Sequence, residues 1–133
     1  NRETKKKLYF LGDLDSKNTL NVNHKNWINK HFRIENKDIK IKSVKTKKLN
    51  DILEKYNFNE IDFMNIDIEG HELEVIKSLN FKKYKINVIC IEILDYDDFS
   101  AKRKKKLKTF FRQNKYSLIG KSKINYIFKR KKL

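Results

Sequence analysis

No proline occurs in the 133 residues, and there are only one cysteine and three glycines. With Cys90 alone, no intramolecular disulfide can form, and nothing requires an oxidising compartment. Its place in the apolar run NVICIEI predicts a buried small hydrophobe rather than a nucleophile. Gly12, Gly70 and Gly120 stand too far apart to build a glycine-rich phosphate or dinucleotide loop. No apolar stretch approaches the roughly 18 residues needed to span a bilayer. The basic start NRETKKK is followed by too short an apolar piece for a secretory signal. A cytoplasmic address is therefore the default expectation.

Charge of one sign is abundant. The formal net charge is +16, from 33 Lys and Arg against 17 Asp and Glu. Eight of those acids fall within 67–98, against four lysines, whereas 99–133 holds fourteen basic residues and no acid. A tail of that sign attracts nucleic acid, anionic lipid or a phosphorylated glycan at long range. The richness in Lys, Asn and Ile without proline equally suits a compositional bias of an AT-rich genome, and no base-reading motif accompanies the lysines.

The most informative stretch is 61–79, IDFMNIDIEGHELEVIKSL. Ile61, Phe63, Met64, Ile66 and Ile68 fall on both sides of a pleat, which predicts a strand buried on both faces under helices. The run breaks at Asp67, Glu69, Gly70 and His71 and resumes with helical spacing at Leu73, Ile76 and Leu79. Ligands of open parallel sheets bind beyond the carboxyl ends of the strands, where Asp67 and Glu69 stand. Glu69 and Glu72 also suit the positive N-terminus of the following helix.

Along the chain, 7–11 predicts a short strand, 12–19 a turn-rich connection and 23–32 a short helix carrying Trp27, Ile28 and Phe32. Residues 18–21, with His24 or His31, are candidates to line a pocket, although lone histidines in polar stretches are more often solvated. Alternation over 39–44 predicts a strand wet on one side, and Leu49, Ile52, Leu53 and Tyr56 a helix. Residues 86–93 form a second run apolar on both faces. Joined to 61–68 by one helix, it makes a right-handed crossover unit. It too ends in acids, Glu92, Asp95, Asp97 and Asp98, so two neighbouring strands direct carboxylates to one sheet edge. Ser100 can cap a helix to about residue 114, with Leu107, Phe110 and Phe111 inward. Strands over 116–119 and 124–128 then flank GKSK, a turn fit for a hairpin.

The strand, turn and helix at 66–77 resemble the signature of the FkbM methyltransferases, an I-D-[VI]-E-G turn followed by x-E-L-E-V-[LI]-K. The matching residues are Ile66, Asp67, Ile68, Glu69, Gly70, Glu72, Leu73, Glu74, Val75, Ile76 and Lys77. The flanks VKTKKLNDILEKYNFNEIDF and NVICIEI resemble the neighbouring family segments, so the resemblance covers most of 37–93. It implies an α/β fold, the C-terminal part of a Rossmann-like methyltransferase sheet, with parallel strands, crossover helices and a terminal antiparallel hairpin. Residues 1–133 are expected to form a single, incomplete domain of that type. It also implies S-adenosylmethionine as cofactor and a hydroxyl of a sugar or other small metabolite as acceptor, although the glycine-rich cofactor loop is missing. Glu69 and His71 are the candidate catalytic bases and Asp67 the candidate cofactor ligand, or a partner of the substrate hydroxyl. Glu92 and Asp95 are candidates for substrate binding. An Asp67, Glu69 and Glu92 cluster is also suited to Mg2+, though neither spacing nor ligand count demands a metal. A relic that only binds a partner, and a basic nucleic-acid-binding module, are the alternatives. Without a neighbour, the strand at 61 offers an open edge, so the chain is expected to recruit an N-terminal strand there, self-associate or dissolve poorly.

Overall fold

The structure, a computed structural model, describes residues 4–13, 15–94 and 100–131, with the Ser100 side chain outside that set. The elements run β1 (Thr4–Phe10), α1 (Val22–Phe32), β2 (Lys40–Thr46), α2 (Leu49–Lys55), β3 (Glu60–Ile66), α3 (Glu72–Ser78), β4 (Lys85–Glu92), α4 (Ser100–Gln113), β5 (Tyr116–Ser122) and β6 (Asn125–Arg130). Among the described residues β1 and β2 form an antiparallel pair of their own. The other strands make one sheet in the order β3-β4-β6-β5. β3 and β4 are parallel, with Ile61 opposite Ile86 and Ile66 opposite Ile91, and α3 is the crossover between them. β6 pairs antiparallel with both β4 and β5, so the crossover, helix and closing hairpin expected from periodicity are all present.

Alternation decides which face is covered. Ile66, Ile89, Ile91, Tyr126 and Phe128 are buried and pack in one cluster with Leu53 of α2, Leu73 and Ile76 of α3, and Leu107 and Phe111 of α4. The rings of Phe111 and Phe128 stack at 3.9 Å, and Tyr116 Oη donates a 2.6 Å hydrogen bond to the Ile86 carbonyl. This satisfies the phenol inside an apolar setting. Burial accordingly pushes the Tyr116 hydroxyl up to about 12. α1 is capped by Asn21, whose Oδ1 accepts from the N–H groups of Asn23 and His24, and ends at Arg33 in the left-handed region.

Four expectations need correction. β3 is not buried on both faces: Met64 and Ile66 meet the helices, but Phe63 is 58% exposed and Asn65 is open as well. β3 is also the edge strand, with β4 as its single neighbour among the described residues. Cys90, in register between Asn65 and Ile127 on the same open face, is half-buried rather than enclosed. The hairpin turn is also shorter than GKSK. β5 continues to Ser122, Lys123 takes the left-handed φ of 46°, and Gly120 lies inside the strand at an irregularity of register. Lastly, of the three alternatives expected for the β3 edge only the first is corrected: among the described residues β1 and β2 satisfy one another's backbone and neither joins β3.

Candidate active site

Parallel pairing brings the carboxyl ends of β3 and β4 to the same edge. The last matched pair is Ile66 and Ile91, so Asp67 and Glu92 follow side by side. Oxygens of Asp67, Glu69 and Glu92 all lie within 4.8 Å of one another. Burial raises the Glu69 carboxyl to about 7, helped by the charges of Asp67 and Glu72. Burial also raises Glu92 to about 7, with a hydrogen bond to Asp67 and the neighbouring carboxylates adding to the effect. Three acids this close cannot all ionise cheaply, so near neutral pH Glu69 and Glu92 can each donate or accept a proton. The same three oxygens are spaced to hold a hard cation.

The turn that presents Glu69 is unusual. Glu69 has φ 53° and Gly70 φ 103°, two successive positive angles of which only glycine adopts the second readily. Side chains from far upstream hold it. Thr19 Oγ1 donates to the Glu69 carbonyl at 2.7 Å, and Asn21 Nδ2 donates to the Gly70 carbonyl at 2.9 Å. His24 Nδ1 lies 3.1 Å from the Glu69 carbonyl, which fixes the proton on that nitrogen, and 3.5 Å from the Glu69 carboxylate. From within the turn, Glu72 Oε1 accepts the Gly70 N–H at 2.9 Å and the Ile68 N–H at 3.3 Å. Glu72 thus serves the backbone rather than the cleft.

His71 points elsewhere. It lines a recess of about 510 Å³ between the β1–β2 pair and α3, with Lys6, Lys48, Leu49, Ile68 and Val75 among its walls. Burial lowers its basicity and Lys6 lowers it further, while Glu74 and Glu72 oppose them, so the imidazole is neutral at pH 7. Its Nδ1 has no hydrogen-bond partner among the described residues. Asp67, Glu69 and Glu92 therefore stand together, and His71 faces the neighbouring recess on the other flank of the turn.

Asp95, Asp97 and Asp98 lie outside the described residues. His24, expected to be solvated, is 2% exposed because its ring is spent on the turn. Thr19 and Asn21 were visible only as part of a polar segment. The capping position of Asn21 before VNHKNWINKHF was a local signal, but its bond to Gly70 spans 49 residues and leaves no local trace.

The family model described as the methyltransferase FkbM domain matches residues 3–118. No curated protein and no solved structure matches.

Proposed function

Since the chain belongs to the FkbM methyltransferase domain family, we propose that it is an S-adenosylmethionine-dependent O-methyltransferase acting on a hydroxyl of a sugar or another small metabolite. The observation that carries this reading is the meeting of Asp67, Glu69 and Glu92 at the ends of two adjacent parallel strands. The strand order β3-β4-β6-β5 with its terminal hairpin supports the closing half of a Rossmann-like sheet.

The acidic edge fits the cofactor's cationic parts, an ammonium and a sulfonium, and Asp67 is the residue assigned to hold its amino-acid end. Bound there, S-adenosylmethionine supplies an electrophilic methyl group. Methyl transfer needs alignment of three atoms and removal of the hydroxyl proton. Glu69 is suited to the second task, since a carboxyl raised to about 7 is half ionised near neutral pH and more basic than an ordinary glutamate. With an acceptor hydroxyl beside it, Glu69 would take that hydroxyl's proton. Glu92 steadies the hydroxyl through its shared proton with Asp67. Neutral His71 is the alternative base on the recess side.

Calorimetric titration with S-adenosylmethionine at pH 8, paired with transfer of labelled methyl to a panel of hydroxylated acceptors, tests this function. Saturable binding that weakens at least about tenfold in Asp67→Asn, and turnover lost in Glu69→Gln, are expected. Cofactor binding indifferent to Asp67→Asn would overturn the assignment. The widely spaced glycines favour a second reading, a domain that keeps the fold but only binds a partner. In that case the folded chain takes up no cofactor. The basic face of α4 favours polyanion binding as a further role, visible as affinity for nucleic acid that falls steeply with salt.

A further inference from the structure

The recess beside His71 is separate from the acidic cluster, and its chemistry is of the opposite sign. Its volume, about 510 Å³, suits a small ligand. The floor is apolar, formed by Leu20, Leu49, Ile68 and Val75, and Ile68 is 38% exposed although it follows a core strand. The rim carries Lys6, Lys47 and Lys48 against one acid, Glu74. Neither Lys6 nor Lys48 makes an ion pair among the described residues, and the His71 ring presents a nitrogen with no partner there. An apolar wall keeps a hydrocarbon or ring body out of water, and Lys6 and Lys48 at its mouth attract an anion.

We propose that this recess binds a small soluble molecule with an apolar body and one anionic oxyacid group, such as a phosphate monoester. Leu49, Ile68 and Val75 hold the body, and Lys6 and Lys48 hold the anion. As a pocket this stands on its lining alone. As the acceptor pocket it rests on the proposed methyltransferase function, with His71 at the border between ligand and turn.

The experiment is a binding titration of the whole chain with octyl phosphate below its micellar concentration, read by calorimetry and by the methyl signals of Leu49, Ile68 and Val75. No cofactor is added, so the outcome is independent of methyl transfer. Octanol, inorganic phosphate and phosphatidylglycerol vesicles form separate arms. One saturable site is expected, with Lys6→Glu/Lys48→Glu weakening it about tenfold, since reversing both rim charges turns attraction for the anion into repulsion. The matched pair Lys105→Glu/Lys106→Glu on α4 makes the same change of net charge and is expected to alter affinity less than about twofold. Val75→Trp, which fills the recess, is expected to abolish binding while the circular dichroism spectrum is retained. The proposal is overturned by equal weakening in both lysine pairs, by inorganic phosphate binding as tightly as the ester, by vesicles outcompeting the soluble ester, or by no saturable binding.

Discussion

The acidic cluster should cost stability as the pH rises from 6.5 to 8, measured against a chain that lacks its two raised carboxyls. Glu69 and Glu92 hold a proton more tightly folded than unfolded, because burial and the charges of Asp67 and Glu72, joined at Glu92 by a hydrogen bond to Asp67 and by the charge of Glu69, raise both from 4.5 to about 7. A group of that kind contributes its full stabilisation below the unfolded value and loses it as the pH climbs through the folded one. Taken alone, each carboxyl would carry about 3.4 kcal/mol, at about 1.36 kcal/mol for a tenfold change in proton affinity. Water reaches both side chains and they share one repulsion, so roughly half of that, ~1.5 kcal/mol each, is the better figure. His24 and His71 act in the opposite sense. Their basicity is lowered by burial, so they cost stability as the pH falls below 6.5. The unfolded histidines are still half protonated at pH 6.5, so this opposing effect, up to about 0.4 kcal/mol each, extends into the window in which about 1 kcal/mol of the carboxyls' combined contribution is lost. Urea unfolding at half-unit steps of pH measures it. Over that window the natural chain should lose about 1 kcal/mol relative to Glu69→Gln/Glu92→Gln, which should itself gain stability as the unfolded histidines deprotonate and be the more stable of the two at pH 8. A double variant whose stability runs parallel to that of the natural chain across the window would refute the shared-proton description.

Thr19→Val keeps the side-chain shape but removes the bond to the Glu69 carbonyl and the acceptor for the Asn21 N–H, so it should cost about 1–3 kcal/mol in urea unfolding. Thr19→Ser should recover most of that loss. Tyr116→Phe deletes the 2.6 Å bond to the Ile86 carbonyl and should cost about 1–2 kcal/mol, with no effect on the pH slope above. We propose that the unpaired edge of β3, with exposed Phe63, drives self-association; sedimentation should show concentration-dependent oligomers that Phe63→Lys disperses. A monomer at every concentration would remove that expectation.

Local patterning carried most of the fold. The apolar runs that became β3 and β4, the helical spacing of Leu73, Ile76 and Leu79, and the Leu107 and Phe111 stripe all reflect periods of two or 3.6 that one segment displays by itself. Side-by-side delivery of Asp67 and Glu92 followed from two parallel strands, so this half of the site was legible as well. Neighbours that sequence cannot specify account for the errors. Phe63 is as apolar as a two-sided core strand requires, but exposure depends on what lies over the strand. Likewise Gly120 looked like a turn residue, whereas it sits opposite Ile127 with room for a close approach, and the reversal falls to Lys123. The clamp by Thr19, Asn21 and His24 joins residues some fifty positions apart, a relation no window of sequence contains.

That clamp makes the opening third of the chain a structural part of the strand-end bend. Two carbonyls in the bend are secured by side chains that arrive from the segment leading into the first helix. A left-handed glutamate has little intrinsic preference for its conformation, so the upstream docking sets where its carboxylate points. Any event that lifts the first helix away, whether a nick, an insertion or a competing partner, would release the bend and scatter the acids at a distance from the point of disturbance.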